Sequence, residues 1–283
     1  MSKPEAHRGP TTLRSGLGRP MDFRLLSNRV SLALPLAAGA VAGLVSLLTG
    51  GGFADAFRAG IAAGGSSFLA WAVTRELNPD HPVAASLAAV AAPWATIAGP
   101  PSLAVVAVWL LATRVVAGTT GAAPYALDMV GVGAFAIWAS TSEGGPPLAL
   151  LALIAIASST AFDPRSRRTV LVGAALATAA CLVAARVVGV LDLPEAWDSQ
   201  SAWWVLAVAL FTAVALLVRV QSTTDRRPVP IDTGRVRAAI GWAAMACVVA
   251  VVWRGPAGMA SMAPLAAAIA LTAAFSLGSR LVR

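Results

Sequence analysis

The charged residues of this chain are sparse, and most of them fall in the breaks between long apolar stretches or near the ends of those stretches. Of 283 residues, 58% are apolar and only 12% are charged, about half the roughly 25% usual in soluble domains. A soluble globule needs polar side chains to cover its surface, and here there are too few. A soluble enzyme, a nucleic-acid-binding module and a disordered chain are therefore excluded as descriptions of the whole. The expected class is all-α, a polytopic integral membrane protein, because a helix satisfies its own backbone polar groups within hydrocarbon.

Residues 1–29 carry Lys3, Arg8, Arg14, Arg19, Arg24 and Arg29 and read as a basic cytoplasmic tail, expected to be disordered. The remainder, 30–283, reads as one transmembrane domain. Apolar runs at about 30–49, 56–74, 82–98, 102–117, 126–140, 147–162, 169–190, 202–221, 236–253 and 260–279 give about ten transmembrane helices. Several fall short of the ~20 residues that cross a ~30 Å hydrocarbon core. The count drops to eight if the turns Gly99-Pro100-Pro101 and Gly144-Gly145-Pro146-Pro147 fail to separate helices.

Charge orients these spans. The net charge is +8, and cytoplasmic loops hold the Lys and Arg excess. With the N-terminus inside, 18 of the 21 Lys and Arg residues fall on the inner side, and only Arg58, Arg186 and Arg254 fall outside. That division predicts both termini in the cytoplasm and a bacterial-type plasma membrane. The basic partner is then the anionic cytoplasmic leaflet of the bilayer, not nucleic acid. Trp94, Trp138, Trp197, Trp203, Trp204 and Trp253 lie at predicted outer ends, where indole rings anchor at headgroup level. Gly39 and Gly43 on the first span, and Gly60, Gly64 and Gly65 on the second, predict close helix packing.

The few polar residues repeat. Thr119-Thr120 precede Pro124, Asp128 and Trp138 at the spacing T-T-x3-P-x3-D-x9-W, and Thr223-Thr224 precede Pro228, Asp232 and Trp242 at the same spacing. Arg114 and Arg219 come before the two copies. Asn78-Pro79 and Asp163-Pro164 form a weaker matched pair. Four spans separate the copies, so a parallel internal repeat of four helices is expected. Spans 2–5 (about 56–140) and 6–9 (about 147–253) form the two units, flanked by helices 30–49 and 260–279.

The matched Asx residues have a plain structural explanation as helix N-caps, with Pro at the first helical position. Beside it stands a functional one. Arg114, Arg219, Thr119, Thr120, Thr223 and Thr224 could surround a phosphate or carboxylate, since Arg binds such groups bidentately, with Asp128 and Asp232 at the matched helix starts. Arg75, Glu76, Asp80 and His81 form a second dense polar group, of a kind that acid–base work on a lipid phosphate would use. No P-loop, GxSxG or HExxH occurs. Cys181 and Cys247 lie in apolar runs and His7 and His81 are far apart, so no metal site and no cofactor are expected.

Three functions fit: a transporter-like protein for a small or amphipathic, anionic substrate; a non-catalytic subunit or assembly factor with a membrane protein partner; and a membrane-embedded enzyme acting on a lipid-phosphate headgroup. The topology is checked by cysteine labelling. Ser142→Cys should react with a membrane-impermeant maleimide in intact cells. Thr223→Cys should react only after permeabilisation, and the reverse pattern would overturn the orientation.

Overall fold

The computed structural model describes residues 15–18, 26–97, 99–190, 198–226 and 229–281. Within these, each predicted apolar run carries a helix. The order is α1 (Leu26–Leu48), α2 (Phe53–Leu77), α3 (Pro82–Ala91), α4 (Leu103–Ala117), α5 (Ala126–Ser140), α6 (Gly145–Ser158), α7 (Arg167–Val188), α8 (Ser199–Ala215), α9 (Thr233–Ser261) and α10 (Ala263–Leu281). Both Gly/Pro clusters separate helices. A 3-10 segment, Ala92–Ile97, extends α3, and further 3-10 turns lie between α6 and α7. The only strand-like pairing among the described residues is an isolated antiparallel bridge between Thr223 and Pro230.

Among the described residues, four helices are long and apolar enough to cross a membrane: Asn28–Leu48, Arg167–Val188, Thr233–Ser261 and Ala263–Leu281. Helix α2 has 25 residues, but its Gly and Ser residues dilute its hydropathy. Helices α3, α4, α5, α6 and α8 are shorter and apolar. The 15 residues of α4 rise about 22 Å at 1.5 Å per residue, less than a full hydrocarbon core. This helix is the centre of the bundle, packed against α2, α5, α6, α9 and α10. Trp109 on α4 is fully buried, as are Leu153 and Ile156 on α6, Ile240 on α9 and Leu265 on α10. The outer helices leave apolar side chains exposed, including Leu36, Phe57, Leu176, Leu210 and Trp203. A bundle apolar inside and outside is what hydrocarbon solvation requires.

Helix α1 packs on α2 through small residues. A Cβ on Gly39 would lie 2.9 Å from the Gly60 carbonyl oxygen, and one on Gly64 would lie 2.9 Å from that of Pro35. Such close backbone approach lets dispersion forces hold two helices that gain nothing from water exclusion. Helix α9 is interrupted near its end. Arg254 (φ −135°, ψ 18°) and Gly255 (φ 54°, ψ −140°) leave the helical region, and only glycine takes the second conformation without strain. The last turns then fold back, with Gly258 against the Ala250 carbonyl oxygen, and the Ser261 carbonyl accepts a 3.0 Å hydrogen bond from Ser102 N–H. The predicted outer turns therefore meet one another: Arg254 pairs with Glu143 at 2.9 Å.

Two capping expectations change. Asn78 does not cap α3; it is the C-cap of α2, and His81 occupies the N-cap of α3 with Pro82 in the first turn. Asp163 sits between two 3-10 turns, and Ser166 is the N-cap of α7. In both loops more residues separate the helices than the Asx-Pro pair alone suggests. The tail is also ordered in part, since Ser15–Gly18 dock on the bundle and Leu17 is buried in the main core cluster. The rest of the disorder expectation, residues 1–14 and most of 19–29, lies outside the described residues.

The helix contact gives a direct prediction. Gly64→Val should destabilise the protein by roughly 1–3 kcal/mol through overpacking, read as a lower melting temperature in detergent. Gly131→Ala, where an added Cβ meets nothing within 4 Å, should leave it unchanged.

Candidate functional site

Glu76 lies in the last turn of α2 and is fully buried. A carboxylate there must find its partners inside the protein. Its Oε1 accepts a 2.7 Å hydrogen bond from Arg114 Nε, forming an ion pair with the last turn of α4. Its Oε2 accepts from the Thr119 hydroxyl. Thr119 is positioned by Gly118, the left-handed C-cap of α4 (φ 65°). A side chain at residue 118 would also collide with the Arg235 guanidinium, whose Cζ lies 2.5 Å from the Cβ position. Arg235 reaches across from α9 to the end of α4, donating to Val116 O and Val115 O at 2.8 Å each. It also stands over the Phe162 ring at 5.7 Å.

A strap crosses this group. Arg114 Nη1 donates to Leu17 O at 2.9 Å, and Arg226 Nη2 donates to Gly18 O at 2.8 Å. Asp128, buried in the first turn of α5, accepts from Gly16 N–H at 2.7 Å, Tyr125 N–H at 2.8 Å and the Ser15 hydroxyl. Asp128 thus caps its own helix and anchors the tail together. Asp232 caps α9 as its N-cap, accepting from Gly234 N–H at 2.7 Å.

The two Thr-Thr segments meet. Asp225 N–H donates to Thr119 O at 3.2 Å and Arg226 N–H to Thr120 O at 3.3 Å. Thr224 packs against Gly121, and its own N–H donates to Val229 O at 2.9 Å. Thr119 and Thr120 are buried, whereas Thr223 is exposed. The four hydroxyls therefore do not surround one point. The matched helices also differ in surroundings: α4 is central, while α8 packs on α9 and α10.

Beside these segments lies a cavity of about 360 Å³, lined by Leu17, Arg114, Asp163, Thr224, Asp232 and Arg235 among others. A second cavity, of about 630 Å³, is lined by Asp80, His81, Leu217, Arg219, Gln221, Ser222, Ser279 and Arg280. Asp80 is committed to the chain opposite, accepting from Gln221 N–H at 2.7 Å, Ser222 N–H at 2.9 Å and the Ser222 hydroxyl. His81 Nδ1 is 2.8 Å from Asn78 Oδ1. Arg75 donates to Pro79 O at 3.1 Å.

The two groups read from the sequence are thus exchanged in part. Glu76 leaves Asp80 and His81 and joins Arg114 and Thr119. Arg219 leaves Arg114 and joins Asp80 and His81, in a different cavity. Arg226, Arg235, Ser222 and the strap were not anticipated. The two arginines sit in the most basic predicted loop, where attraction to the lipid surface is sufficient reason for an arginine. The sequence places Arg186 near the outer end of α7, where it could meet Asp192 or Glu195, and those two residues lie outside the described residues. No family model matches the chain, and no curated protein or solved structure proves similar to it.

The buried pair has a measurable signature. Arg114→Gln should cost about 3–5 kcal/mol, because it removes the guanidinium that faces a buried carboxylate. The double variant with Glu76→Gln should cost clearly less than the two single variants combined. Additive losses in denaturant or thermal titrations would show that the two side chains are not coupled.

Proposed function

We propose that this is a multi-pass plasma-membrane protein of transporter-like kind, with about ten spans and both termini cytoplasmic, that takes a small or amphipathic anionic substrate at its basic end. The observation that carries this reading is the buried Glu76–Arg114–Thr119 group beside a polar cavity. Charge buried in a membrane protein is costly, and is kept where a ligand or ion must be handled. Arg114 contributes to both the ion pair and the cavity wall, so an anionic ligand entering the cavity would compete with Glu76 for the same guanidinium. Such a competition links ligand arrival to a change in the α2–α4 contact. At the opposite end, the Arg254–Glu143 pair and the folded-back end of α9 fit a closed outer side. The parallel repeat supplies the matched loops that build the basic end, and the anionic cytoplasmic leaflet is its lipid partner.

A second reading, a non-catalytic subunit with a membrane protein partner, is favoured by the apolar core in which Trp109 on α4 is fully buried. The enzyme reading has less support, because Glu76 and His81 stand in separate surroundings.

The test is a thermal-shift screen of small anions and zwitterions on the purified protein, followed by uptake of the stabilising compounds into proteoliposomes. Uptake above empty liposomes by wild type, lost in Glu76→Gln, is expected. Compounds that stabilise the protein without being accumulated would remove the transport reading, and co-purification of a stoichiometric membrane protein would replace it with the second.

A further inference from the structure

The cavity of about 630 Å³ between the start of α3, the segment after α8 and the end of α10 takes no part in the Glu76 group. Its charges are unequal in their commitments. Asp80 has both carboxylate oxygens occupied by the N–H groups and hydroxyl of residues 221 and 222. Arg219 is exposed and has no carboxylate partner among the described residues. Arg280 makes one 3.1 Å bond, from Nη2 to Leu217 O, and its remaining donors are uncommitted among the described residues. Arg237 reaches Val218 O at 3.1 Å, next to Arg219 in the chain. His81 lines the same wall, with Nδ1 held by Asn78. Two guanidinium groups and an imidazole therefore face a space in which the one carboxylate is already satisfied.

The surroundings identify what would enter. Leu216, Leu277 and Leu281 are exposed apolar residues within two positions of this wall along the chain. On the membrane reading they meet acyl chains, while Arg219 and Arg280 stand at headgroup level. A basic pocket between helix ends at the cytoplasmic side is the geometry that holds a phospholipid headgroup. Planar guanidinium forks match phosphate oxygens in pairs.

We infer that the Arg219–Arg280–His81 cavity is a phosphate-binding site, filled by the headgroup of an anionic phospholipid of the cytoplasmic leaflet. The site is independent of the transport reading. Its volume exceeds what a bare phosphate requires and leaves room for the glycerol part of a lipid.

The experiment uses the full chain in phosphatidylcholine nanodiscs doped with phosphatidylglycerol, with lipid retained after detergent extraction measured by mass spectrometry. Wild type should retain phosphatidylglycerol over phosphatidylcholine, and Arg219→Gln with Arg280→Gln should lower that preference about tenfold. A control carries Arg167→Gln and Arg168→Gln, two exposed arginines on the same basic end, and should keep the preference. Size-exclusion profiles in detergent confirm that both double variants fold. Equal loss in the control would reduce the effect to general surface charge and overturn the site, as would full retention in the Arg219/Arg280 variant. A separate arm adds millimolar inorganic phosphate. Retention that survives it assigns the phosphate to lipid. Displacement, with protection of a cysteine at Ser279→Cys by phosphate alone, keeps the phosphate site but overturns its assignment to lipid.

Discussion

A carboxylate without solvent access requires a counter-charge from the protein itself, and Glu76 obtains its own from Arg114. Much of the basic end is arranged around that requirement. The pair joins the last turns of α2 and α4, which end on the same side of the bundle and so run in the same sense, with α3 returning between them. Thr119 donates to the carboxylate's other oxygen, and this fixes the turn after α4. That turn then presents its carbonyl groups to residues 225 and 226, which draws the long segment between α8 and α9 over the end of the bundle. Arg114 also holds the strap, so the tail is placed by the same side chain.

The physical reason for this concentration is the solvent. In hydrocarbon an unpaired polar group is expensive, so polar side chains gather where helices end. The core around Trp109 remains apolar, and the buried Glu76–Arg114 ion pair lies in the last turn of its helices, not at their midpoints. Arg235 shows the same economy from the other direction: its guanidinium satisfies the carbonyl groups that the end of α4 leaves unbonded, a task that water performs in a soluble protein.

The repeated Thr-Thr-x3-Pro-x3-Asp pattern was visible in the sequence, but its meaning was not. The two segments lie against each other through backbone hydrogen bonds. Within that contact Thr119 is a buried donor to Glu76, while Thr223 is exposed in a bridge with Pro230. Asp128 lies in the first turn inside its helix and Asp232 is the N-cap before its own. Equal spacing along the chain thus gives unequal chemistry, because α4 is central and α8 peripheral. Asn78 and Asp163 misled for a related reason. Asx-Pro is a good helix start in isolation, but here the preceding helix and the intervening turns claim those residues.

The sequence by itself determined the class, the places of the helices and the gathering of arginines in alternate loops. Hydropathy and charge are local sums along the chain, and solvation in a membrane acts on them directly. Only the tertiary structure decided which polar residues share a site. Glu76 and Arg114 are 38 positions apart, Asp80 and Ser222 are 142, and Gly16 and Asp128 are 112. Pairing over such distances depends on the rotation of each helix and on which helix is central. Those are set by side-chain packing across the bundle, which no local pattern of apolar and charged residues records.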